Sequence, residues 1–204
     1  MRAILVAGAL LIVAAAVGSY ELYHQAAAVP LEIPMGDRIG RNAPFIKSAD
    51  VVVDKMVEVA ELTPDDVVYD LGCGDGRIVI TAALQSGCHG VGFDIDPERV
   101  AEARENVKLH GVEDLVEIRE QDIFAVDLSN ADVVMCYLLP WMVKKLIPQL
   151  QQMKPGSEFI SHDFSFGDIK YIPSDATYEV PLPDKPETHL VHIWKLPLHV
   201  PAKD

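Results

Sequence analysis

The stretch Val67-Val68-Tyr69-Asp70-Leu71-Gly72-Cys73-Gly74-Asp75-Gly76-Arg77 constrains this chain more than any other. An apolar run ends in an acid and passes straight into glycines at alternate positions. A helix-like pattern, Ile78 to Leu84, follows at once. The pattern predicts a buried strand, a tight turn, and a helix whose N-terminus is left open. Glycine lets the backbone take positive φ and lets a ligand approach the main chain closely. Free N–H groups and the helix dipole favour a negatively charged ligand group at that point. The stretch therefore reads as a nucleotide-type pocket. A ligand-free turn is the plainer alternative, but several glycines cost backbone entropy with no packing return.

The spacing narrows the ligand. A dinucleotide fingerprint needs Gly-x-Gly-x-x-Gly. Gly72 and Gly74 fit, but Arg77 stands where the last glycine belongs, and the third glycine is Gly76. No Gly-Lys-Ser/Thr follows, so a Walker-type phosphate loop is excluded. The order Asp70-x-Gly72-x-Gly74-x-Gly76 resembles motif I of the class I S-adenosylmethionine (SAM) methyltransferases. The resemblance implies SAM as cofactor. It places Asp70 near the methionine end, with Gly72, Cys73, Gly74 and Gly76 making room. Cys73 reads as a small residue that fits there, not as a nucleophile.

Two further acids extend the match. Asp94 ends a second predicted strand, where a carboxylate can accept both hydroxyls of a ribose. The resemblance puts the ribose acid here, with Ile95 beside it. A helix cap is the alternative, but Asp96 already fills that position. Asp122 follows the third strand; the resemblance has it accept the adenine amino group while Ile123 packs on the ring. An Asp after a strand is also common in turns. All these residues fall at the carboxyl ends of successive strands, where open α/β sheets bind ligands.

Half of the 204 residues are hydrophobic, which is enough for one domain with a sizeable core. With 31 acidic against 17 basic residues the formal net charge is −14. An acidic surface repels phosphate backbones, so no nucleic-acid partner is expected. Three cysteines without metal-ligand spacing read as reduced thiols, and no metal is expected. The uncharged stretch Ala3–Tyr20 would span about 27 Å as a helix, just the length that crosses a bilayer. Residues 1–24 are thus expected to be a single-pass membrane anchor, with a cleaved signal peptide as the rival. Arg2 favours an exported domain, whereas Arg38, Arg41 and Lys47 favour the opposite orientation. The need for an intracellular cofactor tips the expectation to a cytoplasmic domain. Residues 25–45 are Pro/Gly-rich and read as a linker or lid, and 46–204 as the methyltransferase domain.

Beyond the linker, Asp50 is placed to cap a helix over 51–62. The glycine loop leads into a helix over 75–86. Asp96-Pro97 starts another, Asp as N-cap and Pro as first residue, ending at Gly111. Strands are expected over 67–71, 91–94, 116–120, 133–138 and 158–164. A helix over 140–153 is kinked or broken by Pro148. The last two strands, 178–182 and 189–196, have no helix between them and should pair antiparallel. Alternating elements imply a doubly wound, seven-stranded, mostly parallel sheet with an antiparallel C-terminal strand, a Rossmann-like α/β fold.

Methyl transfer by in-line displacement needs an acceptor lone pair held against the methyl group and water excluded. The loop Tyr137-Leu138-Leu139-Pro140-Trp141 follows the fourth strand, where the acceptor would lie. Tyr137 and Pro140 are the candidates for the catalytic loop. Tyr137 could orient an amine, or could be a half-buried aromatic at a strand end. Asn/Asp-Pro-Pro-Tyr, typical of relatives of the resembled class that methylate exocyclic or amide nitrogens, is absent, which argues against an adenine or glutamine acceptor. His162 could take a proton, although a lone histidine at a strand end is commonly structural.

From Pro44 to Phe164 the chain is similar to small membrane-associated methyltransferases, among them the lysine methyltransferases of the ATP synthase c subunit and of adenine nucleotide translocase. The shared residues are Ala43-Pro44-Phe45, Tyr69 to Val79, Tyr137-Leu138-Leu139-Pro140, Lys154-Pro155-Gly156 and Ile160-Ser161-His162-Asp163-Phe164. The resemblance implies protein-lysine N-methylation of a membrane-associated protein. An acidic, partly desolvated site could attract the ammonium and then expose the amine. Where relatives often carry Pro-x-x-Pro-Thr-Pro, this chain has Pro44-Phe45-Ile46-Lys47-Ser48-Ala49. A small-molecule methyltransferase and a non-catalytic SAM-binding protein tethered to a membrane are the alternatives.

Overall fold

The computed structural model describes residues 45–166 and 172–199. The expected anchor, and the linker up to residue 44, lie outside the described residues. Among the described residues no helix is long and apolar enough to cross a membrane.

The strands are β1 (Val67–Leu71), β2 (His89–Asp94), β3 (Val116–Glu120), β4 (Val133–Cys136), β5 (Glu158–His162), β6 (Ala176–Pro181) and β7 (Thr188–Lys195). The helices are α1 (Asp50–Val59), α2 (Arg77–Ser86), α3 (Pro97–His110), α4 (Pro140–Lys145) and α5 (Ile147–Leu150). They build a seven-stranded sheet in the order β3-β2-β1-β4-β5-β7-β6. The five strands from β3 to β5 run parallel. β7 enters antiparallel between β5 and β6, pairing Ile160 with Ile193 on one side and Tyr178 with Val191 on the other.

β1 and β4 are buried on both faces, and their near-continuous apolar sequence follows from that. Val68, Met135, Ile160 and Val191 face one layer, where they pack on Val52, Val53, Met56 and Val57 of α1 and on Ile78 and Ala82 of α2. Tyr69, Leu71, Val134, Phe159 and Trp194 face the other, against Met142, Val143, Leu146 and Leu150. Helix α2 turns a second stripe, Val79, Ile80 and Ala83, onto Val100, Ala103 and Val107 of α3. The sheet is therefore covered on both faces, and the doubly wound expectation holds.

Local chemistry explains most boundaries. Asp96 caps α3 by accepting the Glu98 amide at 2.9 Å, Pro97 takes the first turn, and Gly111 ends the helix in the left-handed region. The cap of α1 differs from expectation. Ala49 holds the N-cap with no side-chain bond, and Asp50 is the first helical residue. Asp50 instead meets Arg77 at 3.2 Å. The expected helix over 140–153 is two short ones that meet at Leu146, with Pro148 in the first turn of the second. Proline lacks the N–H for a continuous helix, and the first turn is where that loss costs nothing.

Candidate active site

The carboxyl ends of β1, β2 and β4 and the turn after β3 converge on a cleft of about 960 Å³, its open mouth included. Gly72 and Cys73, Asp94 and Ile95, Asp122 and Ile123, and Tyr137 and Leu138 line it in turn. The glycine loop is anchored from the neighbouring strand. The amides of Gly72 and Cys73 both donate to the Phe93 carbonyl, at 2.8 and 2.9 Å. Gly74 adopts φ +54°, and a Cβ there would lie 2.0 Å from the Phe45 ring. Gly76 adopts φ +80° as the N-cap of α2, pressed against Ala103 of α3. Gly74 and Gly76 thus shape the loop without lining the cleft, and Gly76 serves helix packing.

Asp94 is set by two backbone donors. One carboxylate oxygen accepts the Gly74 amide at 2.9 Å and the other the Asp96 amide at 3.0 Å. Each oxygen keeps a further lone pair, so two adjacent hydroxyls can be met by both at once. Asp122 accepts the Phe124 amide at 2.9 Å and caps a single 3₁₀ turn, Ile123–Ala125. That bond uses one oxygen and leaves the other free to accept.

Asp70 is different. It is fully buried beneath the loop, does not line the cleft, and neither oxygen has a hydrogen-bond partner. Burial, then repulsion from Asp94 and Asp75, pushes its carboxyl up to about 8. A ligand that brought positive charge to the loop would favour the ionised form of this unpartnered acid. Asp75 carries the counter-charges: Arg77 binds it at 2.8 Å and Lys47 at 3.0 Å. Burial pushes the Asp75 carboxyl up, but the bonds from Arg77 and Lys47 outweigh it and hold the group below its usual range. Arg77 also donates to the Ser48 carbonyl at 2.8 Å, which straps residues 45–48 to the glycine loop. Phe45 lies over Gly74 with the Arg99 guanidinium 5.0 Å from its ring. The end of the expected lid segment is therefore a wall of the cleft.

The opposite wall is aromatic. Tyr137 stacks on His162 at 3.8 Å between ring centres and on Phe164 at 5.9 Å. Burial, then the neighbouring Asp163 carboxylate, raises its hydroxyl pKa. His162 is buried, with Nδ1 at 2.9 Å from the Ser48 hydroxyl and Nε2 at 2.9 Å from His189 Nδ1. Burial lowers its pKa to about 4 against the opposing pull of Asp163, which keeps the imidazole neutral. Pro140 starts α4 and does not line the cleft; Tyr137, Leu138 and Met142 represent that region instead. Its proline ring suits a helix start, and the turn that follows brings Met142 round to the ligand side.

A family model, the ANTKMT methyltransferase domain, matches residues 70–172, half of the chain. The chain belongs to this family. A protein-lysine N-methyltransferase of Saccharolobus islandicus is 42% identical over 125 residues, covering 60% of this chain and 78% of that protein. A ribosomal protein L11 methyltransferase of Caldanaerobacter subterraneus is 37% identical over 99 residues, but the chain spans only 32% of its length. Among solved structures, an RNA methyltransferase from Salinibacter ruber in complex with S-adenosyl-L-homocysteine superposes with a TM-score of 0.68 at 44% identity. That match covers 78% of this chain and 98% of the other.

The ANTKMT-family protein is thus a SAM-dependent methyltransferase, and its cleft fits the cofactor by its own chemistry. It offers a paired acceptor at Asp94 and a single acceptor at Asp122, with an unpartnered acid, Asp70, buried beneath its glycine loop. The sequence assigns no role to Ser48, Asp163 or His189, although Asp163 lies in a shared stretch. Ser48 lies 114 positions from His162 and His189 lies 27, so no local spacing could have linked them.

Proposed function

We propose that this protein transfers the methyl group of SAM to the ε-amine of a lysine in a protein substrate at a membrane. The observation that carries the reading is the 42% identity to a protein-lysine N-methyltransferase of which the chain covers 78%. When bound, the cofactor supplies an electrophilic methyl group on a sulfonium.

The rest falls to the protein. Asp94 would hold the ribose hydroxyls with Ile95 beside it, and Asp122 the adenine amino group with Ile123 against the ring. Gly72 and Cys73 would leave room for the methionine end, with the Asp70 carboxyl buried below the loop. Tyr137 and Leu138 form the wall against which an acceptor would lie. A lysine arrives as a cation, which the strongly acidic balance of the protein favours. Desolvation then lowers the pKa of the amine, whose proton leaves to solvent and so frees the lone pair. Positioning and water exclusion supply the acceleration, as expected for a displacement that needs little acid–base help.

The acceptor of the Salinibacter relative is RNA by description. A formal net charge of −14 opposes a phosphate-rich acceptor here and supports the protein reading. The uncharged stretch Ala3–Tyr20 supports tethering, with the domain facing the cytoplasm where SAM is made.

Incubation of the purified protein with methyl-labelled SAM and separated membrane, soluble-protein and RNA fractions tests the proposal. The expected result is label in methyl-lysine of a membrane-fraction protein. Label confined to RNA or to a small molecule would replace the acceptor. Calorimetric SAM binding with no transfer to any fraction would favour a non-catalytic role.

A further inference from the structure

Beside the cleft, at the junction of β5 and β7, three ligand-type atoms converge. His162 Nε2 lies 2.9 Å from His189 Nδ1, His189 Nδ1 lies 2.7 Å from Asp163 Oδ2, and His162 Nε2 lies 3.4 Å from Asp163 Oδ2. We infer that His162, Asp163 and His189 form a binding site for one divalent first-row transition-metal ion, such as zinc or cobalt.

The distances suit an ion bound by all three atoms. At metal–ligand bonds of about 2.1 Å, neighbouring ligand atoms stand about 3.0 Å apart at right angles and about 3.4 Å apart at tetrahedral angles. The three edges of the cluster lie at or just below that range. With the His162 Nδ1 proton given to Ser48, His162 Nε2 and Asp163 Oδ2 both present lone pairs toward His189. A cation would be met by all three atoms.

The supporting contacts fix each ligand. The Ser48 hydroxyl orients the far nitrogen of His162, and the Leu190 amide donates to Asp163 Oδ1 at 2.8 Å. Ligating residues are commonly held in this way by a second contact on the atom turned away from the metal. Asp163 itself sits at φ +58°, in the left-handed region. It is held there by the bond from its amide to the Leu190 carbonyl at 2.7 Å. Strained backbone of this kind persists where the surroundings over-determine it. His162 is closed off from solvent, while the side chains of Asp163 and His189 are 24% and 22% exposed, which leaves an entry path.

Two imidazoles and one carboxylate favour borderline ions such as zinc, cobalt and nickel over magnesium or calcium, which prefer oxygen alone. The ion would pin the end of β5 to β7 and hold His162 under Tyr137. This site does not depend on which acceptor the enzyme methylates.

The test uses untagged full-length protein, stripped with chelator and titrated with cobalt and with zinc. The expected result is binding of about one ion per chain, a visible cobalt absorption band and a zinc-dependent rise in melting temperature. Asp163→Asn and His189→Ala should each weaken binding at least about 10-fold, the loss usual when a ligand or its support is removed. His110→Ala, at the exposed end of α3, should bind like wild type. SAM binding by calorimetry, retained in both site variants, would show that they fold. No cobalt band and no zinc-dependent shift in the wild type would overturn the site. So would metal binding that both site variants leave unchanged.

Discussion

The two walls of the cleft are built in different ways. On the cofactor side, the key atoms are fixed by backbone amides a few residues away or on the adjacent strand. Asp94 is held by Gly74 and Asp96, Asp122 by Phe124, and the glycine loop by Phe93. On the acceptor side, side chains fix one another across the sheet: Ser48 to His162, His162 to His189, and Tyr137 stacked on His162. The first wall depends on turn geometry, which a short motif encodes. The second depends on which strands the fold brings together.

The largest expected effect separates the walls most sharply. Gly74→Val puts a β-branched side chain at φ +54° and into the Phe45 ring. Strain of about 1–3 kcal/mol adds to the collision, so SAM affinity by calorimetry should fall by about 100-fold or more. Wild-type affinity in this variant would mean that the loop is not where the cofactor binds.

Asp94→Ala comes next. Loss of a charged hydrogen-bond partner should weaken SAM binding by about 1–3 kcal/mol, read in the same calorimeter. A loss confined to kcat, with unchanged affinity, would move Asp94 out of the cofactor wall.

Asp70 tests the floor between the walls. Its folded pKa of about 8 lies above the ordinary 3.8, so the native state holds a proton that the unfolded chain releases. The associated stability is present in full below about pH 4, declines as pH rises, and is lost through pH 8. Urea midpoints from pH 5 to 8 should fall more steeply for wild type than for Asp70→Asn. Parallel pH profiles would mean that the carboxylate finds a partner in solution.

The smallest effect belongs to the aromatic wall. Tyr137→Phe keeps the stack on His162 and should leave SAM affinity unchanged. Loss of a neutral hydroxyl contact worth about 1 kcal/mol should slow transfer by about fivefold. Unchanged turnover would reduce Tyr137 to a packing residue.

The contrast between the walls also explains what could be read from the chain. That Asp94, Ile95, Asp122 and Ile123 line one cleft was legible because each lies at or just after a strand end, and parallel strands deliver their carboxyl ends to one edge. Asp96 and Pro97 were legible because a cap is a local device. Asp50 was misread as a cap because its partner, Arg77, is distant in sequence. Pro140 fits a helix start as well as it fits a catalytic loop, and only the turn of α4 shows that Met142 faces the cleft. Ser48 and His189 carried no signal, since nothing local pairs either with His162.

The placement of β7 between β5 and β6 has a consequence in time. β6 has no neighbour in the sheet other than β7, so it must wait for residues 188–195 before its edge is paired. Strands β1, β2 and β3, which lead to Asp70, Asp94 and Asp122, pair with one another without β6 or β7. Synthesis from the N-terminus therefore completes the cofactor wall first. His189 reaches His162 only when the last strand is in place, so that contact of the acceptor wall is made only once β5 and β7 have paired.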